Sequence, residues 1–399
     1  MTDSDTIGDR PEKAVAPSDA LESDLLEVPS LSAEFDQFTS APSAIEPIDT
    51  LRRPVPAMPH AQDMADKTAL LLIDIGTPMS ASGVRRFLRH AYADHRVFDS
   101  PFGALGRRLF TALFRPSAAR NLRRALDAVG NRAPEVDGLA RMAELLCERL
   151  NAGQGLPAFT PFVAFQYEEP TIEQALQEIR CQDFTQIVAL WSRPFASQIG
   201  VSAREKLLRS ADAPGTPPVT FIENWMDVEA LSPAFGGLLK DAIDALPESQ
   251  RRKAHIAFAL QALPIEGDRD PALAQARALA KAALASAELQ NEHSVVYLDA
   301  LEPRAPLAPT FDDLLFKLGK SKPPLVVVPL NHLVENLSTR AELDVFIAAK
   351  AKRQGFAGWS RLAMPDSRSE ILDVIEVAIL RHLTHANEFR AESGARRLD

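Results

Sequence analysis

Eight short apolar segments, separated by helical patterns and loops, constrain the fold of this chain more than any other feature of its sequence. Most of them are continuous runs of Val, Ile, Leu, Ala and Phe, which is typical of strands buried on both faces of a parallel sheet. Because such strands alternate with helical patterns, the sequence predicts an α/β protein. The predicted strands cover residues 67–74, 159–165, 185–191, 219–222, 254–260, 294–299, 324–330 and 356–362.

The eight strands form two groups of four, which are separated near residues 223–250. We therefore predict two Rossmann-like, doubly wound domains, each with a four-stranded parallel sheet, at residues 67–225 and 226–385. The cleft between two such domains is the default position for a ligand. The last residues, 386–399, are predicted to form a polar tail.

The net charge of −10 is concentrated at the beginning of the chain. Residues 1–50 carry 12 acidic and 2 basic side chains, which leaves 42 of each sign in the remainder. Because the predicted domains are neutral overall, we expect no basic surface for nucleic acid. The richness of residues 1–66 in Pro, Ser, Ala and acidic side chains predicts a disordered acidic tail.

One segment of this tail, residues 21–38, differs from the rest because it carries six Leu and Phe side chains among acidic ones. A short acidic and apolar segment of this kind can dock on a protein partner or fold back on its own domain. The alternative is a tail that only improves solubility, and the sequence leaves both interpretations open.

The sequence also limits the class of protein. No apolar run approaches the ~20 residues that a helix needs to cross a bilayer, and the acidic beginning does not resemble a targeting sequence. We therefore expect a cytoplasmic protein without a transmembrane segment. The only two cysteines, Cys147 and Cys181, lie far apart, so the sequence predicts two reduced thiols and no iron–sulfur cluster.

The first predicted strand leads into a motif that points to a known family. Residues 70–98 read LLLIDIGTPMSASGVRRFLRHAYADHRVF: a strand, a Gly-Thr-Pro turn and a helix with paired arginines. This stretch resembles the opening of ferrochelatases, although Asp74 stands where that family usually has Asn. Further segments resemble ferrochelatase motifs in the same order along the chain, at residues 164–176, 258–264, 297–315 and 329–344.

The resemblance extends from about residue 67 to residue 375 and implies the two-domain chelatase fold. It also implies the family's reaction, in which Fe²⁺ enters a porphyrin and two pyrrole protons leave. In ferrochelatases a His near the ring accepts protons or binds iron, and a Glu supplies an oxygen ligand and a proton path. Apart from a bound porphyrin or haem, the resemblance implies no cofactor.

The two positions that carry this chemistry are altered here. The His of the family's F-S-x-H-G-L-P motif corresponds to Gln261, and the Glu of its E-T motif corresponds to Ser338. An amide does not titrate near neutral pH, and a serine does not relay protons without a base beside it. A strand-end tyrosine of the family corresponds to Arg193. The resemblance therefore implies a retained scaffold whose catalytic chemistry has been lost.

Two residues are candidate substitutes for the lost pair. His332 stands where the family usually has Phe, six residues before Ser338, and it would supply an imidazole if it faced the same cleft. Glu335 would supply a carboxylate. The alternatives are a histidine satisfied within the core or exposed, and an acidic residue favoured by its position at a helix start.

A candidate substrate-binding segment follows the first motif. Residues 96–117 alternate apolar and Arg side chains, so they are suited to cover a flat macrocycle while guanidinium groups hold its propionates. Peripheral membrane contact and an ordinary amphipathic helix are the alternatives. The candidate residues are Phe98, Phe102, Leu105, Arg107, Arg108 and Arg115, together with Arg193 further along the chain.

Three functions are compatible with these observations. The first is a degenerate ferrochelatase that binds at most a tetrapyrrole and inserts no metal. The second is an active ferrochelatase with a relocated site that uses His332 and Glu335. The third is a scaffold that reuses the fold to bind a protein partner. Fold alone does not decide among them.

Overall fold

Two parallel four-stranded sheets form the framework of the computed structural model. The structure describes residues 67–96, 103–153, 156–223, 225–261, 271–298 and 309–395, and of residues 103–115, 271 and 385–395 only the backbone. All of the described residues belong to one compact unit. The predicted tail at residues 1–66, with its candidate docking segment 21–38, lies outside them.

The first sheet has the strand order β2-β1-β3-β4 and the second has the order β6-β5-β7-β8, with every neighbouring pair parallel. This confirms the predicted fold class, and the strand ends differ from the predicted ones by two residues or fewer. The strands of the first sheet are β1 Lys67–Asp74, β2 Ala158–Phe165, β3 Gln186–Trp191 and β4 Val219–Ile222. Those of the second are β5 His255–Gln261, β6 His293–Leu298, β7 Pro324–Pro329 and β8 Gly358–Arg361.

Helices connect the strands, and several of them begin at a side chain that caps the first turn. Thr171 and Thr310, for example, each accept a hydrogen bond from the backbone three residues later, which satisfies a free N–H at the helix start. In chain order the α-helices are α1 Val84–Ala93, α2 Gly103–Ala128, α3 Glu135–Ala152, α4 Ile172–Arg180, α5 Gln198–Ala211, α6 Val228–Asp244, α7 Glu248–Arg251, α8 Pro271–Ser286, α9 Phe311–Lys317, α10 Ala348–Gln354 and α11 Ser369–Ala395. Residues Ser338–Ile347, directly before α10, form a π-helix.

Alternate side chains of each central strand enter different apolar clusters, which explains why the strands read as continuous apolar runs. Leu70 and Leu72 of β1 face one cluster, while Leu71 faces another. The first of these clusters also contains Phe258 of β5 and Val326 of β7, so a single core extends from one sheet to the other. The two halves of the protein are therefore held together by shared apolar packing.

The last helix extends this connection. α11 follows the second sheet in the chain, yet it packs against α3 and β4 of the first half as well as against α6. It continues to Ala395, so residues 386–395 of the predicted polar tail have helical backbone. None of the helices in the described part of the chain is long and apolar enough to cross a membrane.

The strand order fixes where polar side chains can gather. In a doubly wound sheet, ligands bind outside the carboxyl ends of the strands, beside the point where the order reverses. In this protein β1 and β3 are neighbours in the first sheet, and β5 and β7 are neighbours in the second. The sequence changes from apolar to polar at the carboxyl ends of these four strands, and the resulting side chains meet at the junction of the two halves.

Candidate functional site

Six buried residues and the half-buried Gln261, at the carboxyl ends of the central strands and on one helix, form what we call the strand-end cluster. Asp74 ends β1 and Gln261 ends β5, whereas the other strand-end members directly follow β3 and β7. The seventh member comes from the first turn of α3. The members are Asp74, Glu135, Ser192, Arg193, Gln261, Asn331 and His332.

Arg193 is the centre of this cluster and joins the two sheets. Its Nε donates to Oδ1 of Asp74 at 2.8 Å, and its Nη1 donates to Oε1 of Gln261 at 2.9 Å. The hydroxyl of Ser192 donates to the other carboxylate oxygen of Asp74. Only 5% of the Arg193 side chain is exposed. The guanidinium therefore joins the end of β1 in the first sheet to the end of β5 in the second.

Glu135 places a second carboxyl group on the other side of this guanidinium. Its Oε1 lies 3.9 Å from Nη2 of Arg193, and its carboxyl group interacts with Thr77 and Asp74. Burial and the nearby charge of Asp74 outweigh the effect of Arg193 and raise the pKa of Glu135 to about 8. At neutral pH this carboxyl group is therefore mainly protonated and uncharged.

Gln261 is held in place from both of its ends. Its backbone N–H donates to Oδ1 of Asn331 at 3.0 Å, and the amide Nδ2 of Asn331 donates back to the Gln261 carbonyl at 3.3 Å. Its side-chain oxygen accepts from Arg193. Gln261 is thus a neutral hydrogen-bond acceptor for Arg193.

His332 is buried immediately after Asn331, with 2% of its surface exposed. Its Nδ1 pairs with the amide Nδ2 of Asn336. The orientation of that amide is fixed, because Oδ1 of Asn336 accepts from the backbone N–H of Thr339 at 3.0 Å. Nδ1 of His332 is therefore the acceptor, and the proton of the neutral ring lies on Nε2. Burial and the charge of Arg193 lower the pKa of His332 well below its ordinary value.

The predicted substitutes His332 and Glu335 face different partners. Oε1 of Glu335 pairs with Arg361 at 2.8 Å, and its Oε2 accepts from the hydroxyl of Thr339 at 2.6 Å. Arg361 also forms two hydrogen bonds with Asp344, at 2.6 and 2.9 Å. Glu335 therefore belongs to a separate ion-pair network, which we call the Arg361 network.

Ser338 occupies the first position of the π-helix and is buried. π-helices are rare in proteins, and those that occur lie frequently at functional sites. The π-helix includes Glu342 as well as Asp344. The backbone geometry around Ser338 is thus distinctive.

The predicted substrate-binding residues are distributed over three places. Phe98 and Phe102 lie outside the described residues, and Leu105, Arg107, Arg108 and Arg115 lie on α2 where only the backbone is described. Arg193 is distant from this segment in sequence and buried in the strand-end cluster. An external propionate can bind Arg193 only if it reaches the N–H groups that Asp74 and Gln261 leave free.

A further polar group surrounds Asp94, which follows α1. Its Oδ2 accepts from the hydroxyl of Tyr167 at 2.8 Å and from the hydroxyl of Ser202 on α5. Burial and the charge of Asp94 raise the pKa of Tyr167 well above its ordinary value. Tyr167, which belongs to the segment that resembles a ferrochelatase motif, therefore ties α1 to the loop after β2 as a neutral phenol.

The strand-end cluster offers hydrogen-bond donors rather than metal ligands. Among the described residues, no group of three His, Cys, Asp or Glu side chains is placed to hold a metal ion. The side-chain oxygens of Asp74 and Gln261 accept hydrogen bonds from the guanidinium of Arg193. Sequence reasoning missed Glu135 and the pairing of Asp74 with Arg193, although a charged residue at the end of an apolar strand is the signal that marks both partners of that pair.

Comparison with known proteins gives consistent results along the chain. A ferrochelatase family model matches residues 67–383. "Ferrochelatase-2, chloroplastic" of Cucumis sativus is 24% identical over 348 residues, which is 82% of this chain and 65% of that protein. The ferrochelatase of Geobacter metallireducens is 27% identical over 313 residues, or 75% of this chain and 93% of that protein.

Solved structures with a similar arrangement include two of SirB. SirB from Bacillus subtilis with Fe³⁺ gives a TM-score of 0.46 at 14% identity, covering 80% of this chain and 94% of that one. The sirohydrochlorin chelatase SirB from Bacillus subtilis subspecies spizizenii in complex with cobalt gives a TM-score of 0.44 at 12% identity, covering 79% of this chain and 95% of that one.

Proposed function

Because the chain belongs to the ferrochelatase family, we propose that it binds a tetrapyrrole at the junction of its two halves without inserting a metal ion. One observation carries this proposal: Arg193 occupies the strand-end cluster and is hydrogen-bonded to Gln261, which stands at the family's catalytic His position. A fixed positive charge at this point opposes the approach of Fe²⁺. Arg193 also occupies the side-chain oxygen of Gln261, the residue that stands in place of the family's imidazole.

The availability of protons supports the same proposal. Insertion of a metal into a porphyrin requires a base that takes up the two pyrrole protons. The lowered pKa of His332 and the raised pKa of Glu135 leave both groups neutral at pH 7, and Nδ1 of His332 already accepts from Asn336. The carboxylate of Asp74 is ion-paired with Arg193. No member of the cluster is thus ready to accept a proton from a porphyrin.

The test is a titration of the purified full chain with protoporphyrin and with coproporphyrin, followed by Soret absorbance. We expect saturable binding, and after anaerobic addition of Fe²⁺ or Zn²⁺ we expect metal to enter at the protein-free rate. Insertion well above that rate would contradict the proposal and favour a relocated site, for which His332→Ala is the next variant. Absence of porphyrin binding would favour a scaffold function, with a partner sought for residues 21–38.

Reverting the substitutions isolates the contribution of Arg193. The double variant Gln261→His with Ser338→Glu restores the family's titrating pair but leaves the guanidinium between the sheets. We expect it to bind porphyrin and to insert no metal. Adding Arg193→Tyr, which restores the family's residue at that position, is expected to give measurable insertion. If the double variant alone is active, Arg193 is not the obstacle.

A further inference from the structure

The strand-end cluster contains a buried polar atom that the protein itself does not satisfy. Nε2 of His332 is buried without a hydrogen-bond partner, and the charge of Arg193 acts on the same ring. Buried polar groups in folded proteins are normally paired, so an unpaired N–H near a buried arginine indicates a missing partner.

The chemistry of that partner follows from the proton on His332. Asn336 uses Nδ1 of the ring, so the free nitrogen Nε2 carries the hydrogen and can only donate. A metal ion or a proton would need the lone pair that this arrangement removes. The missing partner of His332 is therefore a hydrogen-bond acceptor.

Arg193 has donors available for the same partner. Its Nε–H and one Nη1–H are bound to Asp74 and Gln261, whereas Nη2 lies 3.9 Å from Glu135, beyond hydrogen-bond distance. Asp74 is the carboxylate of the cluster that lies within hydrogen-bond distance of this guanidinium. Nη2 is left with two donors, in the planar geometry that suits a carboxylate.

We propose that Arg193 and His332 form a binding site for a carboxylate, supplied either by a side chain of a bound tetrapyrrole or by a free small carboxylic acid. The oxyanion accepts from Nη2 of Arg193 and from Nε2 of His332. The polarity of the site is thus the reverse of a chelatase centre, since it donates hydrogen bonds where the ferrochelatase residues accept protons.

The tetrapyrrole source of the carboxylate rests on the proposed function, but the site itself does not. The first measurement therefore uses no porphyrin. In protein labelled with ¹⁵N-histidine, we expect the His332 ring to be the neutral Nε2–H tautomer, and its signals to shift saturably with formate or acetate but not with sodium chloride at equal ionic strength. Detection of the Nδ1–H tautomer, or absence of a shift with both acids, would overturn the proposal.

Variants then test each donor. His332→Phe keeps a ring of similar shape and removes Nε2–H, and Arg193→Met removes the guanidinium but keeps much of the apolar stem. We expect each to weaken acetate binding by about tenfold or more, as loss of a charged or buried donor does. The matched control is Arg149→Met, which removes an arginine that also lies between two carboxylates, Asp373 and Glu376, but on the surface.

Two further arms complete the design. If Arg193→Met does not fold, His332→Phe with the tautomer measurement still decides the question, because unchanged acetate affinity in that variant would contradict the proposal.

Comparing coproporphyrin with its methyl ester separates the two sources of the carboxylate. Weaker binding of the ester in the native protein, but not in His332→Phe, assigns the site to a porphyrin side chain. Equal binding of both, with acetate still bound, assigns it to a free acid.

Discussion

Two buried arginines differ in how completely the protein satisfies them. Arg361 forms two hydrogen bonds with Asp344, a third with Glu335 at 2.8 Å and a fourth with the Leu362 carbonyl at 3.0 Å. Arg193 is as deeply buried, but it forms one hydrogen bond with a carboxylate and one with a neutral amide.

The difference separates a structural network from a candidate site. The Arg361 network ties the end of β8 to the segment around the π-helix, and its charges compensate one another within the protein. The strand-end cluster holds one neutralised carboxyl group, one orphan imidazole N–H and an arginine with unused donors. The protein satisfies the hydrogen-bond donors of Arg361 but leaves donors of Arg193 unused, so Arg193 is available to bind an external partner.

Breaking the Arg361 network should have the largest effect on stability. Arg361→Met leaves Glu335 without its arginine and leaves Asp344 paired with the exposed Arg340 at 3.6 Å, so we expect a loss of about 3 kcal/mol in the free energy of unfolding. Urea unfolding followed by circular dichroism measures it. A loss below about 1 kcal/mol would show that the Arg361 network stabilises the protein no more than an exposed ion pair does.

The corresponding change in the strand-end cluster should cost less. Arg193→Met leaves Asp74 as the single ionised carboxylate, because Glu135 is already mainly neutral, so we expect a loss of about 2 kcal/mol. Adding Asp74→Asn to this variant should restore most of that loss, whereas neutralising Asp344 alone should not rescue Arg361→Met. If the double variant is as unstable as the single one, charge pairing is not what Arg193 supplies.

Glu135 provides a pH-dependent measurement of the same cluster. Its pKa is raised in the folded state to about 8, above its ordinary value of 4.5, so its contribution to stability is complete below pH 4.5 and is lost as the pH rises through about 8. Glu135→Gln cannot ionise. Near pH 8 we expect its free energy of unfolding to be about 1 kcal/mol higher than that of the native protein. This difference should disappear toward pH 4.5. A pH-independent difference would contradict a raised pKa.

The smallest effect is expected on the surface. Arg149 pairs with Asp373 and Glu376 between α3 and α11, and its own side chain is 32% exposed, against 8% for Arg361. Arg149→Ala should therefore change the unfolding free energy by about 0.5 kcal/mol, and high salt should reduce the difference further. A loss as large as that of Arg361→Met would mean that burial does not set the order of these effects.

The strand pattern was readable from the sequence because burial on both faces leaves a continuous apolar run. The positions of Gln261 and Ser338 followed from motif order, and the structure places them at the end of β5 and at the start of the π-helix. Asp74 was recognised only as a departure from Asn. Its pairing with Arg193 depends on the register of β1 and β3, which brings the ends of both strands together.

Other features of the site lie beyond sequence reasoning for physical reasons. Glu135 follows a proline at a helix start, where an acidic residue is normally exposed and favoured by the helix dipole, and only tertiary packing buries it. The proton position on His332 depends on the amide orientation of Asn336, which Thr339 fixes. A π-helix has no apolar periodicity distinct enough to separate it from an α-helix over ten residues.

The apolar cluster that continues from the first sheet into the second makes the two halves a single cooperative folding unit. Heat should unfold them together, in a single calorimetric transition, because neither half retains its core when the other melts. A hinge between independent bodies is then not the means by which a flat ligand enters. Access depends instead on movements at the rim of the junction, so the rate of ligand uptake and the resistance of the protein to melting can vary independently of one another.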